Sequence, residues 1–128
     1  MAKKVLIVDD EAHIRALLEQ TLEDLTDAGV ELLVAQDGEE GLQYIQEEKP
    51  DLVILDVMMP KLNGYQVCEH IKQDPELKDI YVIMLTAKGQ ATDKVRGQEV
   101  QANEYMTKPF DPDMILQRAS EILGTQKN

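Results

Sequence analysis

Runs of four or five largely apolar residues recur along the chain, separated by longer stretches with helical spacing. Val5–Val8 and Leu52–Leu55 are uninterrupted and read as strands covered on both faces, as central parallel strands are. Glu31–Ala35, Tyr81–Leu85 and a short stretch from Glu104 to Met106 supply three more. From Ala12 to about Leu25, the residues Ile14, Leu17, Leu18, Thr21, Leu22 and Leu25 predict one amphipathic helix, which stops near Asp27-Ala28-Gly29. Asp37 with Glu40 three residues on is a capping-box-like start for a second helix through Glu48, with Leu42 and Ile45 inward. Gly41 inside that helix costs about 1 kcal/mol relative to alanine, a sign of close packing or of a weak helix. A third helix, Gly64 to about Gln73, turns Val67, Cys68 and Ile71 inward and ends at Asp74-Pro75. A fourth, roughly Thr92–Val100, follows the polar loop Lys88–Gln90; its few apolar residues predict a thin contact with the sheet. Asp111 caps the fifth helix, Pro112 lies in its first turn, and it runs to Leu123 with Gly124 as its stop.

Five strands alternating with five helices predict an α/β fold, a three-layer parallel sandwich with right-handed crossovers, whose strand order the pattern leaves open. The 128 residues suit one domain, with no room for a second folded module and no linker or repeat. A formal net charge of -12 disfavours direct binding to nucleic acid or an anionic membrane. No stretch approaches a membrane span and the amino terminus lacks signal-peptide features, so a cytoplasmic setting is expected. One cysteine, Cys68, excludes an internal disulfide or a Cys-based metal cluster and falls at a packing position. His13 and His70 fall on helix surfaces and are expected to be solvated.

In such a sandwich every strand's carboxyl end lies on one rim, where ligands bind. That rim gathers Asp9 and Asp10, Asp56, Thr86 and Lys108. One helix cap would account for only one of the two adjacent aspartates. Three crowded carboxylates repel one another unless a cation neutralises them, and an all-oxygen ligand set favours Mg²⁺ or a similar hard ion such as Mn²⁺. A metal beside a carboxylate, a hydroxyl and an ammonium group makes a phosphoryl site. Asp56 stands alone at the end of the most central strand and is the candidate nucleophile; Asp9 and Asp10 suit the metal. Lys108 would pair with Asp56 or its phosphoryl oxygens, and Thr86 would donate a hydrogen bond to the same group.

Four motifs, VLIVDDE at Val5–Glu11, DLVILDVMMPKLNG at Asp51–Gly64, MLTAKG at Met84–Gly89 and YMTKPF at Tyr105–Phe110, stand in order along the chain. In them the chain closely resembles the receiver domain of two-component response regulators, over about Lys3 to Leu123. The resemblance implies a single receiver domain, with no output domain in this chain, on a flavodoxin-like sheet in the order 2-1-3-4-5. It implies that Asp56 takes a phosphoryl group from a histidine kinase, a phosphotransfer protein or a small donor such as acetyl phosphate. Asp10 and Asp56 would bind Mg²⁺ through side chains, Met58 through its backbone carbonyl and Asp9 through water. Ala87 would give a backbone N–H to the phosphoryl group, Lys108-Pro109 would be cis, and Tyr105 matches the switch aromatic that follows Thr86 inward. The face formed by the fourth helix, fifth strand and fifth helix would then change toward a protein target, an output domain or a phosphorylation-dependent dimer. His13 is a candidate for the surface near a docking kinase, and Ile14 is equally a candidate for that surface or for the core. Such a protein is a signalling phosphoacceptor rather than an enzyme, catalysing only its own phosphorylation and slow dephosphorylation.

Gln101 stands where the family usually has glycine, which argues against the usual left-handed turn after the fourth helix. Met58 and Lys88 occupy the variable positions two residues beyond Asp56 and Thr86. A methionine side chain cannot orient a water, so a long-lived phosphoryl group is expected. Three rival functions are weighed against this. A Mg²⁺-dependent phosphatase would need an acid two residues after its nucleophile; Met58 follows Asp56 there, and only Glu11 after Asp9 keeps it open. A flavodoxin-like flavin carrier would need hydroxyls and glycines where the first loop has acids. An interaction module indifferent to phosphorylation would have no use for an intact site.

Overall fold

A computed structural model describes residues 2–87 and 101–125 of the chain. Five parallel strands, β1 (Lys4–Val8), β2 (Glu31–Ala35), β3 (Leu52–Asp56), β4 (Tyr81–Ala87) and β5 (Glu104–Lys108), form one sheet in the order β2-β1-β3-β4-β5. Helices α1 (Ala12–Thr26), α2 (Gly38–Glu48), α3 (Gly64–Gln73) and a C-terminal helix (Pro112–Leu123) cover it. The predicted helix at Thr92–Val100 and the loop before it lie outside the described residues.

Period-two alternation divides the strands between two cores. Leu6, Val8, Val53, Leu55, Val82 and Met84 pack with α2 and α3 through Ile45, Val67, Cys68 and Ile71. Val5, Ile7, Leu52, Ile54, Ile83 and Leu85 pack with α1 and the C-terminal helix through Leu18, Leu22, Leu25, Ile115 and Ala119. Both faces of the central strands are therefore dry, which is why their sequences run apolar without alternation.

Several elements differ from the sequence expectation. Each of β3, β4 and β5 runs further than its apolar stretch, because parallel ladder bonds pair Asp56 with Leu85, Thr86 with Thr107 and Ala87 with Lys108. In α1 the buried stripe is Leu18, Leu22 and Leu25, while Leu17 is exposed and Ile14 half-buried. Leu17 lies about 100° round the helix from Leu18 and so falls off the stripe. Leu42 is likewise only half-buried. Asn63 is the N-cap of α3: its side chain accepts from the Gln66 N–H while the Gln66 side chain accepts from the Asn63 N–H. Gln101 adopts φ 64, so the left-handed turn persists without glycine. Asn103 two residues on helps hold it, pairing its N–H with the Val82 carbonyl and accepting from the Val82 N–H at 2.8 Å and Lys72 Nζ at 2.7 Å.

Two glycines set the spacing beneath the rim. A Cβ at Gly64 would collide with the Asp56 carbonyl, so only glycine lets α3 start directly behind the end of β3. At Gly41 a Cβ would lie 2.9 Å from Val8 Cγ1, so the helix-weakening glycine is there for close packing against β1.

Candidate functional site

The carboxyl ends of β1, β3 and β5 bring Asp9, Asp56 and Lys108 together. Asp56 shares the parity of Leu52 and Ile54, and Lys108 that of Met106, so both start on the sheet face covered by α1 and the C-terminal helix. Asp9 follows Ile7 on that face, and its N–H still donates to the Ala35 carbonyl. Lys108 Nζ donates to Asp9 Oδ2 at 3.0 Å and to Asp56 Oδ1 at 3.1 Å, bridging residues 99 and 52 positions away in the chain. Asp9 and Asp56 are almost fully buried, 0% and 3% exposed, whereas Asp10 is exposed.

Burial, and then the charge of Asp9, push the Asp56 carboxyl up to about 7 against the opposing attraction of Lys108. For Lys108, burial works against the ammonium, but its hydrogen bond to Asp9 and the charges of Asp56 and Asp9 outweigh it and raise its pKa. Negative charge at the rim thus exceeds what one lysine offsets. One carboxylate oxygen from each of Asp9, Asp10, Glu11 and Asp56 lies within 4.8 Å of the others. An all-oxygen set, partly open to solvent and carrying excess negative charge, suits a hard divalent cation that keeps some of its waters.

The adjacent acids do not cap α1. Its N-cap is Glu11, which makes no side-chain cap hydrogen bond. Asp9 Oδ1 accepts the Glu11 N–H at 2.9 Å, and Arg15 Nη1 donates to the Asp9 carbonyl, also at 2.9 Å. The β1–α1 turn is therefore clamped from both sides. Glu11 was not among the residues the sequence singled out for the cation, nor Arg15 for anything; the run of three acids at Asp9–Glu11 was the available signal for Glu11. His13, expected to be solvated, lies 3.5 Å from Glu11 Oε2 through Nε2.

Thr86 reaches the same rim from the other side of the sheet. It has the parity of Val82 and Met84, on the opposite sheet face, is buried, and its hydroxyl donates to the Met106 carbonyl at 3.4 Å. Tyr105 is half-buried against the core on that same face. Ala87 ends β4 beside Lys108, and Lys108-Pro109 is a cis peptide. Met58 is 61% exposed just beyond β3. No described helix is long and apolar enough to cross a membrane.

The model of the response regulator receiver domain family matches residues 5–120. The chain is 47% identical over 123 residues to the alkaline phosphatase synthesis transcriptional regulatory protein PhoP of Bacillus subtilis, covering 96% of this chain and 49% of that protein. It is 42% identical over 123 residues to the phosphate regulon transcriptional regulatory protein PhoB of Pseudomonas aeruginosa, covering 96% and 52%. The chain thus spans about half the length of these curated relatives. A high-resolution structure of the chemotaxis response regulator CheY4 of Vibrio cholerae superposes with a TM-score of 0.83 at 33% identity, over 96% of this chain and 100% of that one. With the 2-1-3-4-5 sheet and the acidic rim, these matches place the chain in the response regulator receiver domain family, the phosphoacceptor modules of two-component signalling.

Proposed function

We propose that Asp56 is the phosphoacceptor of this receiver domain and that the chain's 128 residues form that single domain, with its core over about 3–123. The observation that carries the assignment is the Lys108 ammonium held between buried Asp56 and buried Asp9. An Asp56 carboxylate oxygen attacks the phosphorus of a phosphohistidine on a kinase or phosphotransfer protein. The new O–P bond forms as the P–N bond breaks, and the departing imidazole takes up a proton. With acetyl phosphate the bond broken is P–O and acetate leaves.

A bound Mg²⁺ or Mn²⁺ would offset the charge of the carboxylates and the transferred oxygens. The Asp10 and Asp56 side chains and the Met58 carbonyl would hold it. Both Asp9 carboxylate oxygens already accept hydrogen bonds, which supports a contact from Asp9 through water. Lys108 shifts its pairing from the Asp56 carboxylate to the phosphoryl oxygens, and the Ala87 N–H donates to them. The Thr86 hydroxyl gives up the Met106 carbonyl, and Tyr105 on the same sheet face moves into the space vacated. A face including β5 and the C-terminal helix then engages a protein target, an output domain or a second phosphorylated copy. The partners are a histidine kinase and that target, in a cytoplasmic setting, and the protein catalyses only its own phosphorylation and slow dephosphorylation.

Intact-mass spectrometry after incubation with acetyl phosphate and Mg²⁺ tests this. Wild type gains one phosphoryl group and Asp56→Ala gains none; an equal gain in both would reject Asp56.

A further inference from the structure

We propose that Glu11 is a fourth carboxylate of the cation site, one that would hold the divalent ion through its water shell. Glu11 stands at the N-cap of α1 in an extended conformation, φ -94 and ψ 116, where a side chain commonly accepts from the first helical N–H groups. It makes no such bond. Its carboxylate turns to the rim instead: Oε1 lies 3.5 Å from Lys108 Nζ, and a carboxylate oxygen is within 4.8 Å of those of Asp9, Asp10 and Asp56.

Accessibility separates the roles of the acids. Asp9 is buried and both its oxygens already accept, from the Glu11 N–H and Lys108, which leaves it a contact through water rather than a direct one. The Glu11 side chain is 48% exposed, so it can meet water on a partly hydrated ion. Charge gives it a consequence. Asp9, Asp10 and Asp56 against Lys108 and a dication sum to zero, and Glu11 adds one negative charge. Glu11 therefore strengthens cation capture and opposes the approach of an anionic phosphodonor. Neutralising it as Glu11→Gln should weaken Mg²⁺ binding about five- to tenfold.

The inference rests on the cation site proposed above, so the test separates the two. Amide chemical shifts of isotope-labelled wild type, Glu11→Gln and Asp10→Asn are followed during titration with MgCl₂, and the metal-free spectra check that each variant is folded. Weaker binding in both variants is the expected result. If Asp10→Asn weakens binding and Glu11→Gln does not, Glu11 serves only as a neighbour of Lys108 and the inference is overturned. If neither variant differs from wild type, the cation does not bind at this rim and the proposed site fails along with it.

Discussion

Asp56 should be a liability to the metal-free fold. Its carboxyl is pushed up from 3.8 to about 7, so the folded state holds a proton that the unfolded chain releases near pH 4. The sign follows from linkage: the group's contribution is fully present below the unfolded value and is lost as pH rises through the folded one. Across that interval of roughly three pH units, at about 1.4 kcal/mol each, the ionised carboxylate comes to cost about 4 kcal/mol as an upper bound. Asp56→Asn keeps the shape and removes the charge, while Lys108 keeps Asp9 and Glu11 as partners. Urea denaturation followed by circular dichroism, with chelator present, should find the variant more stable than wild type by about 1–4 kcal/mol at about pH 8. The difference should fall to roughly a third of that at about pH 5, where folded Asp56 is protonated but the unfolded chain's is not, and should vanish only below about pH 4. Adding Mg²⁺ at the higher pH should raise wild type more than the variant. A variant equally or less stable at about pH 8, or a gap independent of pH, would refute the claim that uncompensated charge at Asp56 is built into the site.

Three further outcomes follow from contacts around the rim. Gly64→Ala should lower stability by about 2 kcal/mol or more and slow phosphorylation, because the added Cβ meets the Asp56 carbonyl; an unchanged urea midpoint would contradict that crowding. Lys72→Met should cost about 1–3 kcal/mol, since Lys72 Nζ satisfies the carbonyls of Lys78 and Ile80 as well as Asn103 Oδ1. Loss of amide protection around Val82 and Asn103 on hydrogen exchange is its readout. Met58→Asn puts a water-orienting amide at a position 61% exposed beside Asp56 and should shorten the lifetime of the phosphoryl group; loss of phosphate no faster than wild type would count against Met58 as a brake.

Much of this site was legible because short apolar runs ended by acids or a lysine mark strand ends, and a parallel sheet brings all such ends to one rim. The pairing of Lys108 with Asp9 and Asp56 follows from that rule. What escaped depends on directions around an axis. Leu17 fits a helical period in sequence but sits off the stripe that meets the sheet. Thr86 is at the right rim, yet its strand parity places it on the face opposite Asp56, against β5. Glu11 read as one more acid in a run, and only its failure to cap α1 shows that its side chain turns to Lys108. Gln101 in a left-handed turn breaks a local preference, and the Asn103 and Lys72 contacts that hold the turn come from 21 to 31 residues away from their partners in sequence.

The most direct test of Asp56 as phosphoacceptor is chemical mapping of the acyl phosphate. Borohydride reduction of the protein phosphorylated in the presence of Mg²⁺ converts a phosphorylated aspartate to homoserine, and peptide sequencing by mass spectrometry finds where. Homoserine at position 56 and at no other aspartate is the expected result. Homoserine at Asp9 or Asp10 with Asp56 intact would contradict it.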